Sequence, residues 1–236
     1  MIVYGRNPVR ELLRGRRRHA VTHVVATESV SREPWLRAVP IELAAADAIE
    51  RACGSSDHQG VCADAGPYPY AGAEEILAGP DSVIVALDEL QDPHNLGAVA
   101  RTAECAGASG VVICERRAAE VSPAVCKASA GAVEHLRIAR VRNMVAFLER
   151  AQQVGFWCHG AASGGGVAYD APDYSGGVVL VLGGEGRGLR RLVAERCDDL
   201  VSLPLMGQVG SLNVSAAAAV LMYEVLQQRA RLDMET

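Results

Sequence analysis

From Ser82 onward, short apolar runs alternate with stretches whose apolar residues recur every three or four positions. The runs at 83–87, 110–114, 136–140, 156–161 and 178–182 predict strands. Between them, 96–106, 123–130 and 144–154 predict helices; in the first, positions 96, 99, 100 and 103 share one face. The run 178–182 is wholly apolar and rich in β-branched residues, as a buried parallel strand should be. A helical piece and a second short run, 201–205, follow, the latter broken by Pro204. Last comes a long Ala-rich helix opened by 211–215. Its residues from 216 to 226 read as apolar almost all round, which predicts burial on more than one face. Strand–helix alternation of this kind predicts an α/β fold, a parallel sheet with helices on both faces.

The first 66 residues carry shorter signals. An apolar start at 2–4 leads to a helix reaching about Arg14, with Asn7 as its cap and Pro8 at its first turn. Strands are predicted at 21–26, 41–43 and 61–63, with helices at 34–37 and 44–52, the latter stopped near Gly54. Residues 66–72 hold two prolines and two glycines, a composition that marks a boundary. The expected organisation is a domain over 1–66, a linker over 67–80 and a second domain over 81–236. The glycine run 164–166 reads as a flexible loop.

Candidate chemistry clusters where strands end. Gly183, Gly184, Gly186 and Gly188 surround one acid, Glu185. The loop 206–210 leads to Ser211 and Asn213. Two Gly-rich loops at the ends of neighbouring strands form a ligand crevice. At the start of the helix over 96–106, Asn95 reads as an Asx cap, and Arg101 follows about two turns into that helix. His94 invites a general-base reading. The glycine spacing is not that of a dinucleotide fingerprint, and no Walker lysine follows it. No HExxH or paired-cysteine pattern exists, so no metal is expected.

Composition narrows the partners. A net charge of −5 argues against a uniformly basic coat. Yet six arginines lie between Arg6 and Arg18, against the single acid Glu11. That patch is either a phosphate-binding surface or a solvated helix face. Only 4% of residues are aromatic, so any nucleic-acid recognition would lean on shape and arginine contacts more than on base stacking. Seven cysteines without a CxxC pair suit a reducing cytoplasm. No apolar run approaches the ~18 residues a membrane span needs, and none is expected.

Three blocks resemble the SpoU (TrmH) family of AdoMet-dependent RNA ribose 2′-O-methyltransferases: LDELQDPHNLGAVARTAECAG over 87–107, LVLGGEGRGL over 180–189 and LPLMGQVGSLNVSAAAAV over 203–220. Their order and spacing match the family. The segments YGRNPVRELL and HQGVCA also resemble the branch that methylates a guanosine of 23S ribosomal RNA. The resemblance implies a small ribosomal-protein-like α/β domain that binds RNA, followed by a parallel-sheet α/β methyltransferase domain with a C-terminal trefoil knot. It implies Asn95, Arg101, Glu185, Ser211 and Asn213 at the catalytic site, and cofactor contacts from the backbone of Gly183, Leu203 and Leu212. It also implies a homodimer. Gly210 stands where relatives often carry a polar residue. A free guanidinium keeps its proton up to about pH 12, so Arg101 is expected to hold a phosphate and stabilise an oxyanion, and to act as a base only if RNA perturbs it. Alternatives are the same chemistry on transfer RNA or at an antibiotic-resistance site of ribosomal RNA, or an RNA-binding module without catalysis.

Overall fold

The structure, a computed structural model, describes residues 1–235. In chain order it begins with β1 (Ile2–Tyr4), α1 (Arg6–Arg14), β2 (His23–Ala26), α2 (Glu28–Ser31), β3 (Glu42–Leu43), α3 (Ala46–Cys53) and β4 (Val61–Asp64). Next come α4 (Ala73–Ile76), β5 (Val83–Asp88), α5 (Pro93–Cys105), β6 (Gly110–Cys114), α6 (Pro123–Ala128), β7 (Ile138–Val141) and α7 (Met144–Gln153). The remainder is β8 (Trp157–Ala162), β9 (Val167–Ala168), β10 (Val178–Gly183), α8 (Arg191–Arg196), β11 (Asp199–Ser202) and α9 (Val214–Glu235).

Two compact units result. The first combines Met1–Pro69 with Glu120–His135; the second combines Tyr70–Ala119 with the chain from Leu136 onward. In the first, a four-stranded sheet runs in the order β1-β4-β2-β3, with β4 antiparallel to β1 and β2 and β3 parallel to β2. Val3, Val9, Leu12, Val24, Ile49 and Val61 are buried. Helix α1 begins two residues earlier than the sequence suggests. Gly5, at φ 97°, makes the turn that a side chain would strain, so Asn7 lies inside the helix and does not cap it.

Residues 120–135 belong to this first unit, although their place in the sequence assigns them to the second. A buried ion pair is one of the contacts that fasten them there. Glu134 accepts from Nε and Nη2 of Arg17 at 2.8 and 2.5 Å. The Arg17 guanidinium also lies 5.1 Å from the Tyr68 ring centroid, and the Tyr68 hydroxyl donates to the Val133 carbonyl at 2.8 Å. A buried charge persists only where it is paired in this way. Burial opposes the charge of Arg17, but the bonds to Glu134 outweigh it and hold the guanidinium above its usual value. Arg17 therefore does not join the basic patch. Arg6 is also engaged, with Glu33 at 3.2 Å, and Arg10 with Glu11 at 2.9 Å.

The second unit is the predicted α/β layer structure. Its seven strands run in the order β7-β6-β5-β10-β8-β11-β9, and all pair in parallel. Ile84, Ala86, Val112, Ala139, Val179 and Val181 pack on one face with Met144, Phe147 and Leu148 of α7 and Val193 of α8. Alternation sends Leu180 and Leu182 to the other face, where α9 packs on β10 and on α5. Residues 67–80 are not a bare linker: Ala71 bridges to Ala139, and α4 follows at once.

Several boundaries move for identifiable reasons. Helix α5 starts at Pro93, whose fixed φ and missing N–H suit the first helical position. Asp92 is then its cap, accepting from the His94 N–H at 2.9 Å, and Asn95 sits in the first turn with its side chain free for other work. Strand β11 stops at Ser202, before Pro204. The glycine run before β9 is a bend that ends against β11: a Cβ on Gly166 would stand 2.1 Å from the Leu200 carbonyl oxygen. Helix α9 is apolar on both sides over 216–226, but within this chain it buries only one of them. Ala218, Leu221, Met222 and Val225 are buried, whereas Val220, Tyr223 and Leu226 are exposed. Among the described residues no helix is long and apolar enough to cross a membrane.

Candidate active site

Parallel strands bring their C-terminal ends to one edge, and the loops that leave β8, β10 and β11 meet there. Together with the start of α9 they enclose a cavity of about 520 Å³. Gly183, Glu185, Leu203, Ser211, Leu212 and Asn213 all line it. The size falls within the ~300–1,000 Å³ usual for small-molecule sites. Leu182, Leu203, Leu205 and Leu212 give the wall an apolar share, and Ser163, Glu185, Arg187 and Asn213 give it polar groups.

The first wall is the glycine loop after β10. Gly184 accepts from the Gly188 N–H at 3.1 Å, and the two residues form an antiparallel bridge. A Cβ on Gly183 would stand 2.0 Å from the Gly188 carbonyl carbon, so the loop closes only with glycine there. Glu185 is thereby carried out from the sheet edge.

Asn95 joins the three sequence blocks. Its Nδ2 donates to Glu185 Oε1, and also to Asp92 Oδ2 at 3.1 Å. Its Oδ1 accepts from Asn213 Nδ2 at 3.1 Å. Asn213 in turn caps α9: its Oδ1 accepts from the N–H and hydroxyl of Ser215 at 2.8 and 2.6 Å. One asparagine thus caps a helix and faces the site at once. Asn95 is buried, Glu185 and Ser211 are exposed, and Ser211 lines the cavity without entering this network.

Arg101 stands apart. It is exposed on α5, about two turns beyond Asn95, and does not line the cavity. Among the described residues no carboxylate pairs with it. His94 is exposed and makes no contact with the network beyond its backbone bond to Asp92. No group of three or more potential metal ligands stands together among the described residues.

Sequence reasoning missed part of the wall. Ala161, Ala162 and Ser163 line the cavity because β8 lies between β10 and β11 in the sheet. Strand order, which no local pattern reports, puts them there. It also missed Asp88 and Arg190, whose ion pair is 2.5 Å between Oδ1 and Nη2. Asp88 reads in the sequence only as the polar end of a strand.

Comparisons with known proteins agree with this geometry. Residues 82–223 match the SpoU rRNA Methylase family, and residues 2–71 match the RNA 2′-O ribose methyltransferase substrate binding family. The chain is 42% identical over 180 residues to a putative TrmH family tRNA/rRNA methyltransferase of Bacillus subtilis, covering 74% of this chain and 72% of that one. It is 38% identical to an uncharacterised tRNA/rRNA methyltransferase of Mycobacterium tuberculosis, covering 97% of this chain and 74% of that one. The AdoMet-bound rRNA methyltransferase of Sinorhizobium meliloti superposes with a TM-score of 0.79 at 26% identity, over 96% of this chain and 86% of that one. With both units matched, and the three blocks that Asn95 ties together lying inside the matched span, the chain belongs to the SpoU (TrmH) family of AdoMet-dependent RNA 2′-O-ribose methyltransferases.

Proposed function

We propose that this enzyme methylates the ribose 2′-oxygen of a guanosine in 23S ribosomal RNA. The observation that carries the reading is the bond pattern of Asn95, which ties Glu185 and Asn213 together beside the cavity. The ribosomal assignment rests on the N-terminal segments YGRNPVRELL and HQGVCA; the substrate-binding match over residues 2–71 supports RNA as the substrate.

AdoMet suits the cavity. A glycine-lined wall with exposed backbone, several leucines for an adenine and a few polar groups form the setting it needs. Gly183, Leu203 and Leu212 would hold it through their backbone. Bound there, AdoMet supplies an electrophilic methyl on a sulfonium. The protein's part is positioning, which can be worth up to ~7–11 kcal/mol in favourable cases. Asn95, Glu185, Ser211 and Asn213 orient the ribose. Arg101 holds the neighbouring phosphate with its cationic guanidinium and stabilises the charge that develops on the 2′-oxygen as the hydroxyl proton leaves.

The same reading includes a homodimer. Val220, Tyr223 and Leu226 form an exposed apolar face on α9, which a second copy would cover. The chain is expected to work in the cytoplasm, and its first unit to guide RNA through the arginines of the 6–18 stretch that remain exposed.

Arg101→Ala tests the role of that residue. Methylation should be abolished while AdoMet affinity by calorimetry is retained; lost affinity with full turnover at saturating AdoMet would refute it. Mapping 2′-O-methyls in ribosomal and transfer RNA from a strain lacking the gene tests the substrate. A methyl missing from transfer RNA alone would replace the ribosomal assignment.

A further inference from the structure

A dense polar contact in the second unit lies behind the cavity wall. Asp88, the last residue of β5, is buried, and its strand partner is Gly183, the first residue of the glycine loop. Its carboxylate accepts the Arg190 backbone N–H at 3.0 Å, Nε at 2.9 and 3.1 Å, and Nη2 at 2.5 Å. Arg190 is the residue just past the loop's far end. One residue therefore holds both ends of the loop, through the strand pairing of its backbone at one and the forked ion pair of its carboxylate at the other.

Neighbouring groups reinforce the grip. Arg190 Nη1 also lies 3.3 Å from Glu89 Oε1, and Glu89 reaches Arg117 at 3.7 Å. Glu89 adopts φ 56°, a left-handed conformation that a glutamate takes only under constraint. Its carbonyl oxygen would stand 2.8 Å from a Cβ on Gly184, so the backbone of the loop is pressed against this turn. The bond to Asp88 holds the Arg190 guanidinium above its usual value, against the opposing effect of burial. An ion pair alone is weak evidence of stabilisation, since a half-exposed arginine contributes little. Its geometry is informative for another reason. A bidentate arginine fixes direction as well as distance.

We infer that Asp88 and Arg190 are positioning residues, which hold the 183–189 loop in the shape that walls the cavity and aims Glu185 at Asn95. This rests on the reading that the cavity binds AdoMet. Neither residue touches the cavity; both act through Gly183 and Glu185.

The test is calorimetric titration of AdoMet into the full-length protein and its variants. Wild type should bind. Arg190→Ala should weaken binding by about tenfold or more, with Arg190→Lys in between because it keeps the charge and loses the fork. The thermal midpoint should move by only a few degrees, and RNA affinity should be unchanged. If Arg190→Ala does not fold, Arg190→Lys decides by the same criterion. Wild-type affinity in the variant that folds overturns the positioning role and leaves the cavity assignment standing. Absence of AdoMet binding by wild type overturns both.

Discussion

The two loops that face each other across the cavity are built in opposite ways. Residues 184–189 close on themselves through the Gly188–Gly184 bond and are held at both ends by Asp88. Residues 204–212 make no backbone hydrogen bond among the described residues, and Met206 and Val209 are 96% and 75% exposed. The first wall has met its ordering cost in folding. The second leaves that cost, about 1–2 kcal/mol per residue fixed, to whatever covers it. A site with one finished wall and one unfinished wall suits a reaction in which a small molecule and a large RNA must both arrive.

The sharpest way to break that contrast is to place a methyl on each wall. Gly183→Ala puts a Cβ into the Gly188 backbone and should cost about 10²-fold or more in AdoMet affinity. Gly210→Ala meets nothing within 4 Å and should stay within about threefold of wild type. Equal effects in calorimetry would mean that the walls do not differ.

Asn213 joins the second wall to the first. Asn213→Ala removes both the cap of α9 and the bond to Asn95. It should lower stability by about 1 kcal/mol. It should also lower kcat/KM by about 10- to 100-fold. A stability loss with unchanged kinetics would reduce Asn213 to a cap.

The proposed dimer can be probed from α9. Leu226→Asp, on the exposed face, should shift a dimer towards monomer in light scattering without unfolding the chain. Leu221→Asp buries a charge in the core beside the cavity and should unfold it. An active monomer in wild type at micromolar concentration would rule the dimer out.

The smallest expected effect concerns pH. Burial pushes the His159 imidazole below its ordinary value, only partly offset by Asp199 and Asp198. Both ring nitrogens lack a hydrogen-bond partner, and Tyr174 packs edge-on at 5.0 Å. The folded state therefore resists protonation of His159 more than the unfolded chain, which takes a proton near pH 6.5. Stability is present above that pH and falls as pH drops from about 6.5 towards the lowered folded value. His159→Phe should flatten that slope in melts between pH 7.5 and 5.5; an unchanged slope would assign it to other groups.

Much of this was legible in the sequence. Alternating strands and helices gave the parallel sheet, and the glycines after residue 182 marked the cavity wall because close backbone approach admits little else. What escaped depended on partners distant in the chain. Nothing near Glu134 predicts that Arg17 will help draw residues 120–135 into the first unit. Cutting the chain at residue 70 would therefore strip that segment of its packing. Asp88 likewise gains its meaning only from Arg190, and the α9 stripe looked symmetric because alanines hide which side is buried. Asn95 was placed at the site by its motif, but its freedom to bond there depends on Pro93 passing the cap to Asp92.

The central claim is ribose methylation. The direct measurement is incubation of the enzyme with AdoMet carrying a deuterated methyl and with unmodified 23S ribosomal RNA, followed by digestion to nucleosides and mass spectrometry. Deuterated 2′-O-methylguanosine is the expected product, lost with Arg101→Ala. A methyl on a base, or none on any RNA while AdoMet is bound, would contradict the claim.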